Sequence, residues 1–216
     1  MDKTLQNLVE KLILKDEFFD INNNIHNKAH TYRVMCHIIT LSERVGQIRE
    51  GSLAMCAAFL HDMARTDSGF CKLHNKWAAE VKLPQYEEFF FECGVSRKDR
   101  EEIRVAINFH SIDQELDRFH PFAKTTAILK DADALDRFRY GDDDFDAKFL
   151  RYKTSLQLID FGRHLYIETK NNKDLTLLEC LRIRDEFFAQ QKEIEALTKP
   201  VEEEGIFRRV FTRMFA

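Results

Sequence analysis

An all-α fold follows from three observations on this chain. Only seven glycines and three prolines are spread over 216 residues, the stretches between them are rich in Leu, Glu, Lys, Arg and Phe, and apolar residues recur at helical spacing from the first residues onward. With 44% hydrophobic and 32% charged residues, the chain can build one substantial core without disulfide staples, with room for an appended element.

Leu5, Leu8, Val9, Leu12 and Ile13 fall on one face, which predicts a first amphipathic helix ending near Phe19. The polar run INNNIHNK breaks it. A second helix is expected over about 29–45, with Val34, Ile38, Leu41 and Val45 aligned and Gly46 as its stop. The third, about 49–63, is apolar nearly all round, as suits the central helix of a bundle. It ends on His61 and Asp62.

After the TDSGF loop the pattern predicts a short helix from His74 to Val81, closed by Pro84, and then the aromatic-rich YEEFFFECG. Ser96 and Asp99 suggest a cap for a helix of about 97–111, whose inward face reads Ile103, Ala106, Ile107 and His110. Pro121 opens the next helix, AKTTAILKDADALDRF, in which Asp131, Asp133 and Asp136 interrupt an apolar side. Three further helical patterns, separated at KNNKD and at Pro200, complete the chain. The expected organisation is a helical core over 1–140 and a C-terminal helical extension over 141–216, packed on the core or forming a homodimer surface. No 20–50-residue repeat is visible.

A net charge of −4 gives no bulk attraction to nucleic acid or anionic membrane, so neither is an expected partner. The five cysteines form no CxxC pair and read as reduced core thiols, which points to the cytosol. No apolar run approaches a membrane span, and no signal peptide is evident.

The chemistry concentrates in His30, His61, Asp62, His74, His110 and Asp133, each on its own helix except the adjacent pair. An ionised carboxylate in an apolar helix costs several kcal/mol unless it is paired, and a bound cation meets that need. Imidazole and carboxylate suit divalent transition metals such as Mn, Fe, Co, Ni or Zn. Facing helices are how a bundle gathers such donors. His26, His37, His120 and His164 read as structural.

The stretches HTYRV (30–34), AAFLHDMAR (57–65) and LKDADALDRF (129–138) resemble the HD-domain superfamily of metal-dependent phosphohydrolases. The resemblance covers roughly residues 20–140. It implies His30, His61, Asp62 and Asp133 as ligands of one ion, Asp133 being favoured over Asp131 by its Ala-Asp-x-Leu setting. Asp131 and Asp136 would then orient ligands from outside. HNKWAAE and NFHS resemble the elements that add His74 and His110 in dinuclear branches, with Asp62 bridging two ions.

The implied activity is hydrolysis of a small phosphorylated molecule, nucleotides included, by metal-activated water. Asp62 holds the metal, and Arg65 and Lys130 are the cations that meet the phosphate. Arg65 stands where nucleotidase-type members carry Glu and alarmone hydrolases an acidic pair, which removes support for both. The motifs of the cyclic-di-GMP and cyclic-nucleotide phosphodiesterases are absent. The same ligand set also serves mixed-valent di-iron oxygenases, which iron content and oxygen uptake would reveal. A non-catalytic binding module would bind metal and nucleotide without turnover.

Overall fold

The computed structural model describes residues 2–198, apart from 22, 24, 68, 70 and 72. Among the described residues it is helical with no strand, as the sequence predicts. The chain divides into a compact unit, Met1–Arg184, which holds every residue of the site described below, and a second unit that begins at Asp185. The predicted helix beyond Pro200 lies outside the described residues.

In chain order, α1 (Lys3–Lys11) leads into α2 (Lys28–Val45) and α3 (Ile48–Leu60). Then follow α4 (His74–Trp77), α5 (Leu83–Glu92), α6 (Arg100–Phe109) and α7 (Ala123–Leu135). The short α8 (Lys153–Leu156), α9 (Ile159–Thr169) and α10 (Leu177–Thr198) complete the order. α2, α3 and α7 pack against one another, and α6 lies against α3 and α7. Residues Leu53 to Leu60 of α3 are all buried, which explains its lack of a polar face. All five cysteines are free and buried, and no helix among the described residues is long and apolar enough to cross a membrane.

Local chemistry sets the helix ends that matter for the site. Asn27 caps α2 by accepting the His30 amide at 3.0 Å, and Gly46 stops it at φ 68°. At the far side, α9 approaches the end of α7 so closely that a Cβ on Gly162 would stand 2.7 Å from the Leu135 carbonyl oxygen. Only glycine permits that approach.

Two sequence expectations are corrected. The first helix ends at Lys11 rather than near Phe19, because Leu12 and Leu14 are both buried while Ile13 is 63% exposed. That alternation needs extended chain, and the Leu14 amide donates to the Tyr32 hydroxyl at 2.7 Å. Pro84 does not close the helix that begins at His74. A π-helical turn, Ala78–Lys82, carries α4 into α5, and Pro84 falls in the first turn of α5, where its missing amide is tolerated.

His37 lies one turn beyond Arg33 on α2, fully buried, edge-on to Phe161, with neither ring nitrogen hydrogen-bonded. Burial pushes its pKa from 6.5 down to about 4. The unfolded chain therefore takes up this proton first as pH falls, so stability is full above about 6.5 and is lost progressively toward 4. An unpaired buried polar group costs about 1–3 kcal/mol. His37→Leu should raise the denaturant midpoint at pH 7 and lose less stability than wild type between pH 6.5 and 4. An unchanged pH slope would show that His37 has a partner.

Candidate metal centre

Each donor reaches the centre from a different helix end. His30 lies in the first turn of α2, His61 and Asp62 follow the last turn of α3, and His74 opens α4. His110 caps α6, and Asp133 lies in the last turn of α7. The structure brings all six sequence-predicted candidates together.

Three of the histidines are aimed by one local device. Nδ1 of His61 donates to the Ala58 carbonyl at 2.7 Å, that of His74 to Cys71 at 2.5 Å and that of His110 to Ile107 at 2.6 Å, always three residues back. His30 donates its Nδ1 to Asp136 Oδ2 at 2.7 Å. All four rings thus spend their proton outward and present a bare Nε2 inward.

Those bare nitrogens crowd. His30 and His61 Nε2 are 3.2 Å apart, and His74 and His110 Nε2 are 3.0 Å apart. Burial lowers the pKa of His61, His74 and His110 to about 4, so at neutral pH none of these three carries a second proton. Asp62 lies between the pairs. Its Oδ2 is 3.4 Å from both His30 and His61 Nε2, and its Oδ1 is 3.6 Å from His74 Nε2. Asp133 Oδ1 is 3.4 Å from His30 Nε2.

Facing lone pairs and carboxylates repel one another unless a cation lies among them. The donor atoms of His30, His61 and Asp133 lie within 4.8 Å of one another, as do those of Asp62, His74 and His110. These residues fit a divalent transition ion, and the second cluster gives a place for another.

Burial alone would raise the Asp62 carboxyl, but His61, the hydrogen bond from His26, the neighbouring His30 and Arg65 hold it well below the usual carboxylate range. Burial is likewise outweighed at Asp133, where Arg139, His30 and His61 pull the pKa down to about 2. Both carboxylates are therefore ionised and ready to hold a cation.

The aspartates on α7 divide their work. Asp131 faces away from the centre, accepting the Arg151 and Tyr152 amides and the Ser155 hydroxyl at 2.6–3.0 Å, and so anchors the chain entering α8. Asp136 accepts from His30 and, through both oxygens, from Arg33 at 2.5 and 3.0 Å. It fixes the His30 tautomer.

Sequence reasoning missed His26, Arg139 and Tyr140. Asn23 accepts the His26 amide at 2.7 Å and folds the loop so that His26 Nδ1 donates to Asp62 Oδ2 at 2.8 Å. His26 Nε2 then accepts from the Tyr140 hydroxyl at 3.2 Å, and Tyr140 oxygen accepts from Arg139 at 3.2 Å. Arg139 also reaches Asp133 at 3.4 Å, so one chain of hydrogen bonds joins the two ionised carboxylates. The four-residue offset of His26 from His30 was the available signal, but it lies in a polar loop with no helical periodicity to read.

The two cations predicted to meet phosphate differ in what they hold. Arg65 donates to Asp62 Oδ1 at 2.6 Å and to the Gly69 carbonyl at 3.2 Å, and it lines the cavity above the donors. The Lys130 ammonium is engaged by the carbonyls of Ile112 and Gln114 and by Glu115, at 2.8–3.1 Å. It braces the cavity wall formed by 112–115. The cavity itself is about 790 Å³ and reaches from His26, Asp62, His74 and His110 to Arg137, Phe149 and Arg151.

With this geometry in view, a family model for the HD domain matches residues 28–137, half of the chain. The chain belongs to the HD-domain family. No solved structure matches it. HD-domain membership suggests metal-dependent phosphohydrolase chemistry in general, and the His/Asp clusters lie inside the matched segment.

Removing the His26 donor should loosen Asp62 without touching the other donors. Partners that orient metal-binding side chains typically contribute 10–100-fold in affinity. His26→Leu should weaken binding of a divalent cation to the demetallated protein by about that factor, read by calorimetry, while far-UV circular dichroism stays helical. Equal affinities in variant and wild type would contradict this role.

Proposed function

We propose that this HD domain hydrolyses a phosphoester or phosphoanhydride of a small phosphorylated molecule, nucleotides included. The observation that carries the reading is the convergence of four bare imidazole nitrogens and two ionised carboxylates at the base of a cavity walled by cations. In this reading His30, His61, Asp62 and Asp133 hold one divalent ion, and Asp62, His74 and His110 a second. The two oxygens of Asp62 face the two clusters, as a bridging carboxylate requires. A divalent ion there supplies a Lewis acid for phosphoryl oxygens and lowers the pKa of water.

The chain's own residues do the rest. Arg65, fixed through Nε to Asp62 and with its terminal nitrogens against the Gly69 carbonyl and His74 Nε2, lines the cavity, and its charge is assigned to the phosphoryl oxygens. Asp136 and His26 hold His30 and Asp62 in orientation, so the donors need no rearrangement when charge develops on the substrate. Lys130 keeps the wall at 112–115 in place, which makes it a positioning residue in this account.

The same six donors would suit a di-iron oxygenase. The cationic wall is the feature that favours phosphate.

The test is phosphate or pyrophosphate release from a panel of nucleotides and sugar phosphates with Mn²⁺, Co²⁺, Ni²⁺ or Mg²⁺, comparing wild type with Asp62→Ala. Metal-dependent release in wild type, lost by at least about 1000-fold in the variant, is the expected result, since a shared ligand serves both ions. Oxygen uptake by the iron-loaded protein with no phosphate release would replace this reading by the oxygenase.

A further inference from the structure

The cavity wall carries one cation whose charge has no carboxylate opposite it. Arg65 is paired with Asp62, Lys130 and Arg151 with Glu115, and Arg139 with Asp133 and Asp136. Among the described residues Arg137 makes no ion pair. Its Nε donates to the Asp144 carbonyl at 3.1 Å, and its guanidinium carbon lies 5.4 Å from the centre of the Tyr140 ring. It is thus oriented by a backbone bond and an aromatic face, and among the described residues nothing accepts from its two terminal nitrogens.

That arrangement is a fork aimed at an anion. A guanidinium fixed through Nε presents its terminal edge in the geometry that binds a carboxylate or phosphate through two parallel hydrogen bonds. A second observation points the same way. Arg139 lies 4.5 Å from the same Tyr140 ring, so two like charges are held against one aromatic side chain, and only the Arg139 charge is neutralised by protein groups. An anion at Arg137 relieves that repulsion. The cavity is also far larger than one phosphate needs. At about 790 Å³ it falls in the range that takes a whole metabolite or nucleotide.

We infer that Arg137 is a specificity-determining residue, and that the substrate carries a second anionic group, phosphate or carboxylate, held by Arg137 while the reacting phosphoryl group lies at the His/Asp donors. This rests on the phosphohydrolase reading and narrows its substrate class to molecules with two separated anions. Arg65 serves the reacting group and Arg137 the remote one.

The test compares KM and kcat of wild type, Arg137→Gln and Arg137→Lys on p-nitrophenyl phosphate, on the bisphosphates fructose 1,6-bisphosphate and adenosine 3′,5′-bisphosphate, and on the phosphocarboxylate 3-phosphoglycerate. Loss of a charge-assisted pair should raise the ratio of KM for two-anion to one-anion substrates by about tenfold or more in Arg137→Gln, with partial recovery in Arg137→Lys. Whether bisphosphates or the phosphocarboxylate show the larger change identifies the second anion. A ratio that Arg137→Gln leaves unchanged overturns the inference even where hydrolysis is robust and Asp62-dependent. If wild type hydrolyses none of these compounds with any metal, the phosphohydrolase reading itself fails. Calorimetric binding of fructose 1,6-bisphosphate and orthophosphate to the metal-loaded proteins then decides Arg137 separately: a ratio of the two affinities that is the same in wild type and Arg137→Gln rejects the fork.

Discussion

A carboxylate removed from water must be surrounded by hydrogen-bond donors or positive charge, and the interior of this protein is arranged to meet that demand at Asp62. It is 3% exposed, just beyond a helix whose residues Leu53 to Leu60 are all apolar and buried. His26, His30, His61, Arg65 and His74 approach it from four separate segments of chain. Breaking such a buried arrangement by removing one charge costs more than the pair contributes to stability, so the centre constrains where every neighbouring helix can end.

The way the histidines are held turns this structural demand into a chemical site. By giving Nδ1–H to a backbone carbonyl three residues back, His61, His74 and His110 expose Nε2 to the centre. One local bond therefore selects a tautomer and aims a donor. The consequence is a set of lone pairs about 3 Å apart, which favours a cation over an empty interior. The cation-rich wall of the cavity then suits an anionic substrate, with Arg65 beside the donors and Arg137 farther along the same wall.

How much of this was legible in the sequence depended on the range of the interaction involved. Helices α2, α3, α6 and α7 were readable because their apolar patterns and stops, such as Gly46 at the end of α2, are encoded within a few residues. The chemical candidates were readable by type, since His and Asp at helix ends in an oily context need a partner. Local periodicity failed where tertiary burial overrode it, as at Leu12 and Leu14, and where a π-helical turn let Pro84 stay inside a helical run. His26 was invisible as a site residue because its meaning lies in a bond to Asp62, 36 residues away, made from a loop. Lys130 lines the cavity, but the groups that hold it were not legible. Its position one turn before Asp133 suggested a free cation, whereas the carbonyls that engage it belong to a loop 16–18 residues distant.

The claim on which the account rests is that the His30, His61, Asp62 and Asp133 donors hold a divalent cation. Anomalous diffraction from crystals grown with Mn²⁺, collected on both sides of the manganese absorption edge, tests this most directly. The account predicts a manganese peak among those four side chains, with a second between Asp62, His74 and His110 when both clusters are filled. Well-ordered crystals with no anomalous peak at either cluster, at manganese concentrations far above those of a cell, would contradict it.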